Sequence, residues 1–177
     1  EVLGCPWVPE YAREYLANLG RAYNVEDLSI IAIRQLEEIL AAMNEQWAMG
    51  NKQNQEIIES SRHNVLTGDI DYTILNVALT KIKSSFDLHP SSIIIVDGGM
   101  MNLRMWARIK YNIVIPLVED ALEKDLTDLY ILCRPHQSWE PDALREAPSL
   151  LDRVWIYNLY LEELVKSEKE FEIILYQ

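Results

Sequence analysis

Ser91-Ser92-Ile93-Ile94-Ile95-Val96-Asp97-Gly98-Gly99 is the stretch that decides the fold class. Four β-branched apolar residues in succession favour an extended strand. Without polar alternation, that strand is predicted to be buried on both faces, as in a parallel sheet. The run ends in an acid and two glycines, a turn signal that also lets a ligand approach the backbone closely. Asp128-Leu129-Tyr130-Ile131-Leu132-Cys133 is a second such run and leads into Arg134-Pro135. A third spans Phe171 to Tyr176. At the other end, the apolar stretch from Val2 to Val8, interrupted by Gly4 and Pro6, predicts a brief strand running into Pro9-Glu10.

Between these runs the spacing turns helical. Glu10 to Leu16 opens a helix with Pro9 near its first position and acids in its first turn, and Gly20 stops it. Asn24 is suited to an N-cap, with Asp27 three residues on in the manner of a capping box. From there Leu28, Ile31, Ala32, Leu36, Ile39, Leu40 and Met43 recur at helical spacing, predicting a helix to Trp47 or beyond. Further helices are predicted over Glu56–Arg62, Asp69–Lys83, Asn102–Lys110, Ile113–Lys124 and Leu150–Lys169, with a Pro-punctuated loop from Ser138 to Pro148. Strands alternating with helices predict one α/β domain over residues 1–177, a parallel sheet with helices on both faces. Ligands of such sheets bind at the carboxyl ends of the strands. Pro9-Glu10, Asp97-Gly98-Gly99 and Arg134-Pro135 would offer an acid, an acid and a base to one crevice.

The 177 residues include 28 acids against 16 bases, a formal charge of −12. That balance argues against nucleic acid as a partner, since a phosphate-tracking protein needs a basic face. No apolar run approaches the roughly 18 residues of a membrane helix. Cys5 and Cys133 read as reduced thiols of a cytoplasmic protein. His63, His89 and His136 are scattered, and no Cys/His spacing suits zinc. None of the six glycines is spaced as G-x-x-x-x-G-K-[ST] or G-x-G-x-x-G, so these residues contain neither a Walker A loop nor a dinucleotide fingerprint.

Pro6-Trp7-Val8-Pro9-Glu10-Tyr11-Ala12-Arg13-Glu14-Tyr15-Leu16 resembles a segment of the NadR-type nicotinamide riboside kinases and related P-loop ATPases of the AAA family. Further blocks follow in that family's order. They are Glu26-Asp27-Leu28 through Ile31-Ala32 to Gln35, then Ile94-Ile95-Val96-Asp97 with Trp106 and Tyr111, then Asp128 to Leu132 with Trp139, Asp142 and Leu144-Arg145-Glu146. The resemblance implies a P-loop nucleoside-kinase-like fold that uses ATP and Mg²⁺ to phosphorylate a hydroxyl of a nucleoside-like small molecule in NAD metabolism. It assigns Glu10 to the acceptor hydroxyl, Asp97 to Mg²⁺ as a Walker-B-like carboxylate, and Arg145 to the transferring phosphoryl group. Arg13, Gln35 and Trp139 become substrate-binding residues, and Arg134 and Asp142 border a lid. Glu10 and Asp97 are expected on the same side of the sheet's carboxyl edge. Residue types alone leave plainer readings open: a solvated Glu10–Arg13 ion pair, an Asp-Gly turn, a polar flank at Gln35.

The chain departs from the family in three respects. Asp97-Gly98-Gly99 stands where the family has Asp-Thr or Asp-Ser. The segment from Gly50 to Pro90 matches nothing in it. The first strand and Walker A loop are absent, and the expectation is a domain incomplete at its N-terminus, whose sheet is filled by a preceding segment or a second copy. By itself the chain is then not expected to bind Mg-ATP tightly, since the phosphates lack their cradle. The alternative to a kinase is a regulatory or interaction module with a degenerate or incomplete ATP site.

Overall fold

The structure is a computed structural model and describes residues 5–48, 93–124, 127–135 and 146–175. The helices expected over 56–62 and 69–83 lie outside the described residues, as does most of the Pro-rich loop. The chain divides into two compact units, Glu1–Asp125 and Leu126–Gln177.

In the first unit, β1 (Trp7–Val8) leads into α1 (Tyr11–Leu19) and α2 (Val25–Ala48). After them come β2 (Ile95–Val96), α3 (Met100–Trp106) with a π-helical turn over Ala107–Tyr111, and α4 (Pro116–Glu123). Helix α1 stops at Gly20, whose φ of 67° is the left-handed conformation that glycine adopts without penalty. Helix α2 begins with the expected capping box. The Asn24 side-chain oxygen accepts the Asp27 N–H at 3.0 Å, and the Asp27 carboxylate accepts the Asn24 N–H at 2.7 Å.

Asp27 does more than cap. It is 1% exposed and receives two hydrogen bonds from the Arg21 guanidinium, at 2.6 and 2.8 Å, and one from the Tyr15 hydroxyl at 2.8 Å. The Arg21 hydrogen bonds hold its carboxyl far below the usual carboxylate range, against the opposing effect of burial; Asn24 and Tyr15 add to the lowering. The Tyr15 phenol is pushed up, chiefly because it donates to Asp27. A lowered folded-state value means that this contribution is present above the unfolded pKa, about 3.9, and is lost as pH falls towards the folded one. Thermal melts from pH 7 to pH 2 should therefore show wild type losing stability steeply below about pH 4. Asp27→Asn should be less stable at pH 7 and should converge on wild type in acid.

The core is built on α2. Leu28, Ile31, Ala32, Ile33, Leu36, Leu40 and Met43 are buried, and the helix packs against α1, α3, α4, β1 and the π turn. α3 supplies Met100, Met101, Leu103 and Met105, and α4 supplies Leu117, Val118, Ala121 and Leu122. Ile31 and Val118, at 1% and 0% exposure, each contribute about 1.5–3 kcal/mol of burial. Asn112, at φ 51°, ends the π turn, and Pro116 begins α4 at a position where its missing N–H does no harm. Glu119 ties these helices together, accepting from Arg104 Nε at 3.0 Å and lying 3.6 Å from Arg108 Nη2. The Tyr111 hydroxyl donates to the Tyr23 carbonyl at 2.6 Å, and the Lys110 ammonium sits 3.5 Å from the centre of the Tyr23 ring.

The second unit is β3 (Tyr130–Cys133), α5 (Leu150–Lys166) and β4 (Phe171–Ile174). β3 and β4 pair in parallel, with Tyr130 opposite Phe171 and Cys133 opposite Ile174, and α5 packs on β3. Ser149 caps α5, its hydroxyl accepting the Leu151 N–H at 3.2 Å.

The runs Ile93–Val96, Leu129–Cys133 and Phe171–Leu175 were expected as parallel strands of one sheet, and among the described residues they lie in parallel pairs, β1–β2 and β3–β4. One expectation needs correction. The first two of these runs were expected to be buried. Ile93, Ile95, Val96, Leu129 and Ile131 are exposed, since among the described residues each pair is only two strands wide and offers helices little area to cover. The parallel α/β character itself holds. Among the described residues, no helix is long and apolar enough to cross a membrane.

Candidate functional site

Parallel pairing makes the site. β1 and β2 run side by side in register, Trp7 opposite Ile95 and Val8 opposite Val96. The ladder extends one step further, with the Asp97 N–H donating to the Val8 carbonyl at 2.9 Å. Both chains therefore leave the pair on the same edge. Pro9-Glu10 emerges from β1 and Asp97-Gly98-Gly99 from β2, each turning into a helix, α1 and α3.

Glu10 lies directly on this second turn. A Cβ at Gly98 would fall 2.8 Å from Glu10 Cγ and 3.1 Å from Glu10 Oε1. Gly98 also has φ 67°, so both its conformation and its neighbour require glycine. The Asn102 amide nitrogen, one turn into α3, donates to Glu10 Oε1 at 3.3 Å. Arg13 Nε stands 3.9 Å from Glu10 Oε2, and both side chains retain solvent access. An ion pair so open contributes at most about 1 kcal/mol, so an anionic ligand can compete for Arg13. The Asp97 side chain is exposed at the same edge.

Glu10 occupies the N-cap position of α1 yet makes no side-chain capping hydrogen bond. The first N–H of α1 is served by Gln35, from the middle of α2. Its Oε1 accepts the Tyr11 N–H at 2.7 Å and its Nε2 donates to the Pro9 carbonyl at 3.1 Å. Gln35 is 1% exposed, so its amide faces backbone and not an open surface for a substrate base.

Among the described residues, no group of three His, Cys, Asp or Glu side chains is placed to hold a metal ion. A single exposed carboxylate such as that of Asp97 is compatible with Mg²⁺, which keeps several waters and takes one or two protein carboxylates alongside substrate phosphates. It does not fit zinc or a caged calcium. Arg134 is exposed just past β3, its N–H donating to the Ile174 carbonyl at 3.0 Å. Trp139, Asp142 and Arg145 lie outside the described residues. Asn102 was missed as a site residue because it reads simply as part of a helix; its spacing from Gly99 was the available signal.

A family profile described as an AAA domain matches residues 42–175. The matched span takes in Asp97, Arg134, Trp139, Asp142 and Arg145, while Glu10, Arg13 and Gln35 precede it. No curated protein and no solved structure matches the chain. With well over half of the 177 residues matched, the chain belongs to the AAA domain family, P-loop proteins that bind nucleotide.

Proposed function

We propose that the protein is a kinase acting in the cytoplasm on a small, nucleoside-like acceptor, with nicotinamide riboside the leading candidate, and that ATP is the phosphoryl donor. The observation that supports this reading is the placement of Glu10 against Gly98 at the carboxyl edge of two parallel strands, with Asp97 on the same edge. Phosphoryl transfer is mostly positioning and charge neutralisation, and this edge has groups for both.

In this reading Glu10 binds the acceptor hydroxyl and orients its oxygen towards the terminal phosphorus of ATP. The acceptor oxygen forms the new P–O bond, ADP departs with the electron pair of the bond that breaks, and the hydroxyl proton passes to the Glu10 carboxylate. Asn102 keeps that carboxylate turned to the acceptor, and Arg13 attracts anionic groups. Asp97 would hold Mg²⁺ through water; the ion, when bound, neutralises phosphate charge. The family resemblance adds Arg145 as a candidate for the phosphoryl group, Trp139 for a base, and Arg134 and Asp142 as candidate lid residues, each open to test by substitution.

The test is ADP release and product formation from Mg-ATP and nicotinamide riboside by the natural full-length protein. Wild type should turn over, and Glu10→Gln should lose roughly 10²-fold in kcat, within the range for general acid–base groups, with an unchanged melting profile. ATP binding without transfer to any nucleoside would assign the domain to a regulatory role.

A further inference from the structure

Glu10 presents a problem of precision. It sits where a strand gives way to a helix, on the short connection between β1 and α1. A carboxylate there must be held to within a fraction of an ångström to orient a hydroxyl. The Arg13 N–H donates to the Glu10 carbonyl at 3.1 Å, a bond that leaves the peptide plane before Glu10 unfixed.

Gln35 supplies the constraint. The Pro9 carbonyl belongs to the peptide plane before the Glu10 Cα, and the Tyr11 N–H belongs to the plane after it. One planar amide, buried on α2, accepts from the second at 2.7 Å and donates to the first at 3.1 Å. The two planes flanking Glu10 are thus tied to a single rigid group, which holds its φ and ψ at −70° and 102°. The same bond satisfies the first N–H of α1, one of those that no intrahelical carbonyl serves. The Glu10 side chain makes no cap bond of its own, and its carboxylate accepts from Asn102 beside Gly98.

We propose that Gln35 is a positioning residue of the acceptor site, clamping both peptide planes of Glu10 so that its carboxylate is aimed at the bound hydroxyl. This rests on the reading of Glu10 as the acceptor-binding group. Glutamine suits the task because the clamp needs one donor and one acceptor on a single amide. An ionised glutamate keeps only the acceptor, and methionine, of similar length, keeps neither.

The experiment compares Gln35→Met, Gln35→Glu and Glu10→Gln in the natural full-length protein, with Mg-ATP and nicotinamide riboside as the substrates used. Two quantities are read: kcat against KM, and the ¹³C-carboxyl resonance of Glu10, assigned by its loss in Glu10→Gln. Gln35→Met should lower kcat about 10²-fold, the penalty of a misplaced reacting group. KM for Mg-ATP should stay within about twofold, since in this reading Glu10 contacts the acceptor and not the nucleotide. Gln35→Glu should fall between Gln35→Met and wild type. In both Gln35 variants the Glu10 resonance should move towards that of a solvent-exposed glutamate. If Gln35→Met fails to fold, Gln35→Glu carries both readings. An unmoved Glu10 resonance overturns the clamp, as does retained kcat in the Gln35 variants where Glu10→Gln is impaired. Absent transfer by wild type, or Glu10→Gln at full activity, overturns the acceptor reading and the role assigned to the clamp in it, and the resonance alone then shows whether Gln35 fixes Glu10.

Discussion

Asparagine in place of Asp97 is expected to slow phosphoryl transfer by about 10²–10³-fold, close to 3–4 kcal/mol of transition-state stabilisation. The substitution keeps size and shape and removes one negative charge. Asp97 lies at the end of β2, where its backbone N–H continues the ladder to Val8. Asparagine keeps that N–H, so the strand pair should persist and the melting temperature should hold. A carboxylate that recruits Mg²⁺ is replaced by a neutral amide, a much weaker partner for a hard cation. The loss should accordingly shrink when Mg²⁺ is raised, and steady-state assays across a Mg²⁺ series will show whether it does. Unchanged kcat at every Mg²⁺ concentration would remove Asp97 from the site.

Alanine at Gly98 should have the second largest effect, and three glycines separate its causes. Gly20 has φ 67° with nothing within 4 Å of where an added methyl would sit, so Gly20→Ala costs only the left-handed conformation, about 1–2 kcal/mol. Gly99 has an ordinary φ, and a Cβ there would meet Val96 Cγ1 at 3.6 Å, normal contact. Gly98 combines the left-handed φ with a Cβ 2.8 Å from Glu10 Cγ. Gly98→Ala should therefore lose at least as much stability as Gly20→Ala, whose fall in melting temperature is roughly 2–8 °C. It should also displace the Glu10 side chain and reduce kcat at least tenfold, which Gly20→Ala should not. Equal activity in the two variants would show that Glu10 does not depend on the space above Gly98.

The parts of this molecule that were legible in the sequence are those determined within a few residues. Gly20 ends α1, Asn24 and Asp27 form their capping box, Pro116 opens α4, and the apolar runs at Ile95, Tyr130 and Phe171 pair in parallel as strands. Contacts between distant positions were not legible. Gln35 reads as a polar flank of an apolar stripe, yet its burial follows from backbone groups 24 and 26 residues away. Asn102 reads as one more helical residue until β1 and β2 bring Glu10 beside it. The π turn after α3 has no distinct signature, since its apolar spacing barely departs from that of an α-helix. The exposure of β2 depends on sheet width, which no single strand encodes. For the candidate site, residue types at strand ends were enough to propose Glu10 and Asp97, but the hydrogen bonds from Gln35 beneath Glu10 required three dimensions.

The hydrogen bond between Asn102 and Glu10 joins residues 92 positions apart, whereas that between Arg104 and Glu119 spans only 15. Closing the longer loop costs about 4 kcal/mol of chain entropy before any contact across it is gained. The α3–α4 hairpin can consequently form early in folding from its own neighbours, while the edge shared by Glu10 and Gly98 waits for the two ends of the unit to meet. That edge is then the late-assembling part of the first unit, and the same asymmetry acts in reverse when the protein is weakened. Far-ultraviolet dichroism, dominated by the helices, will report a folded molecule after the meeting of those ends has already been lost.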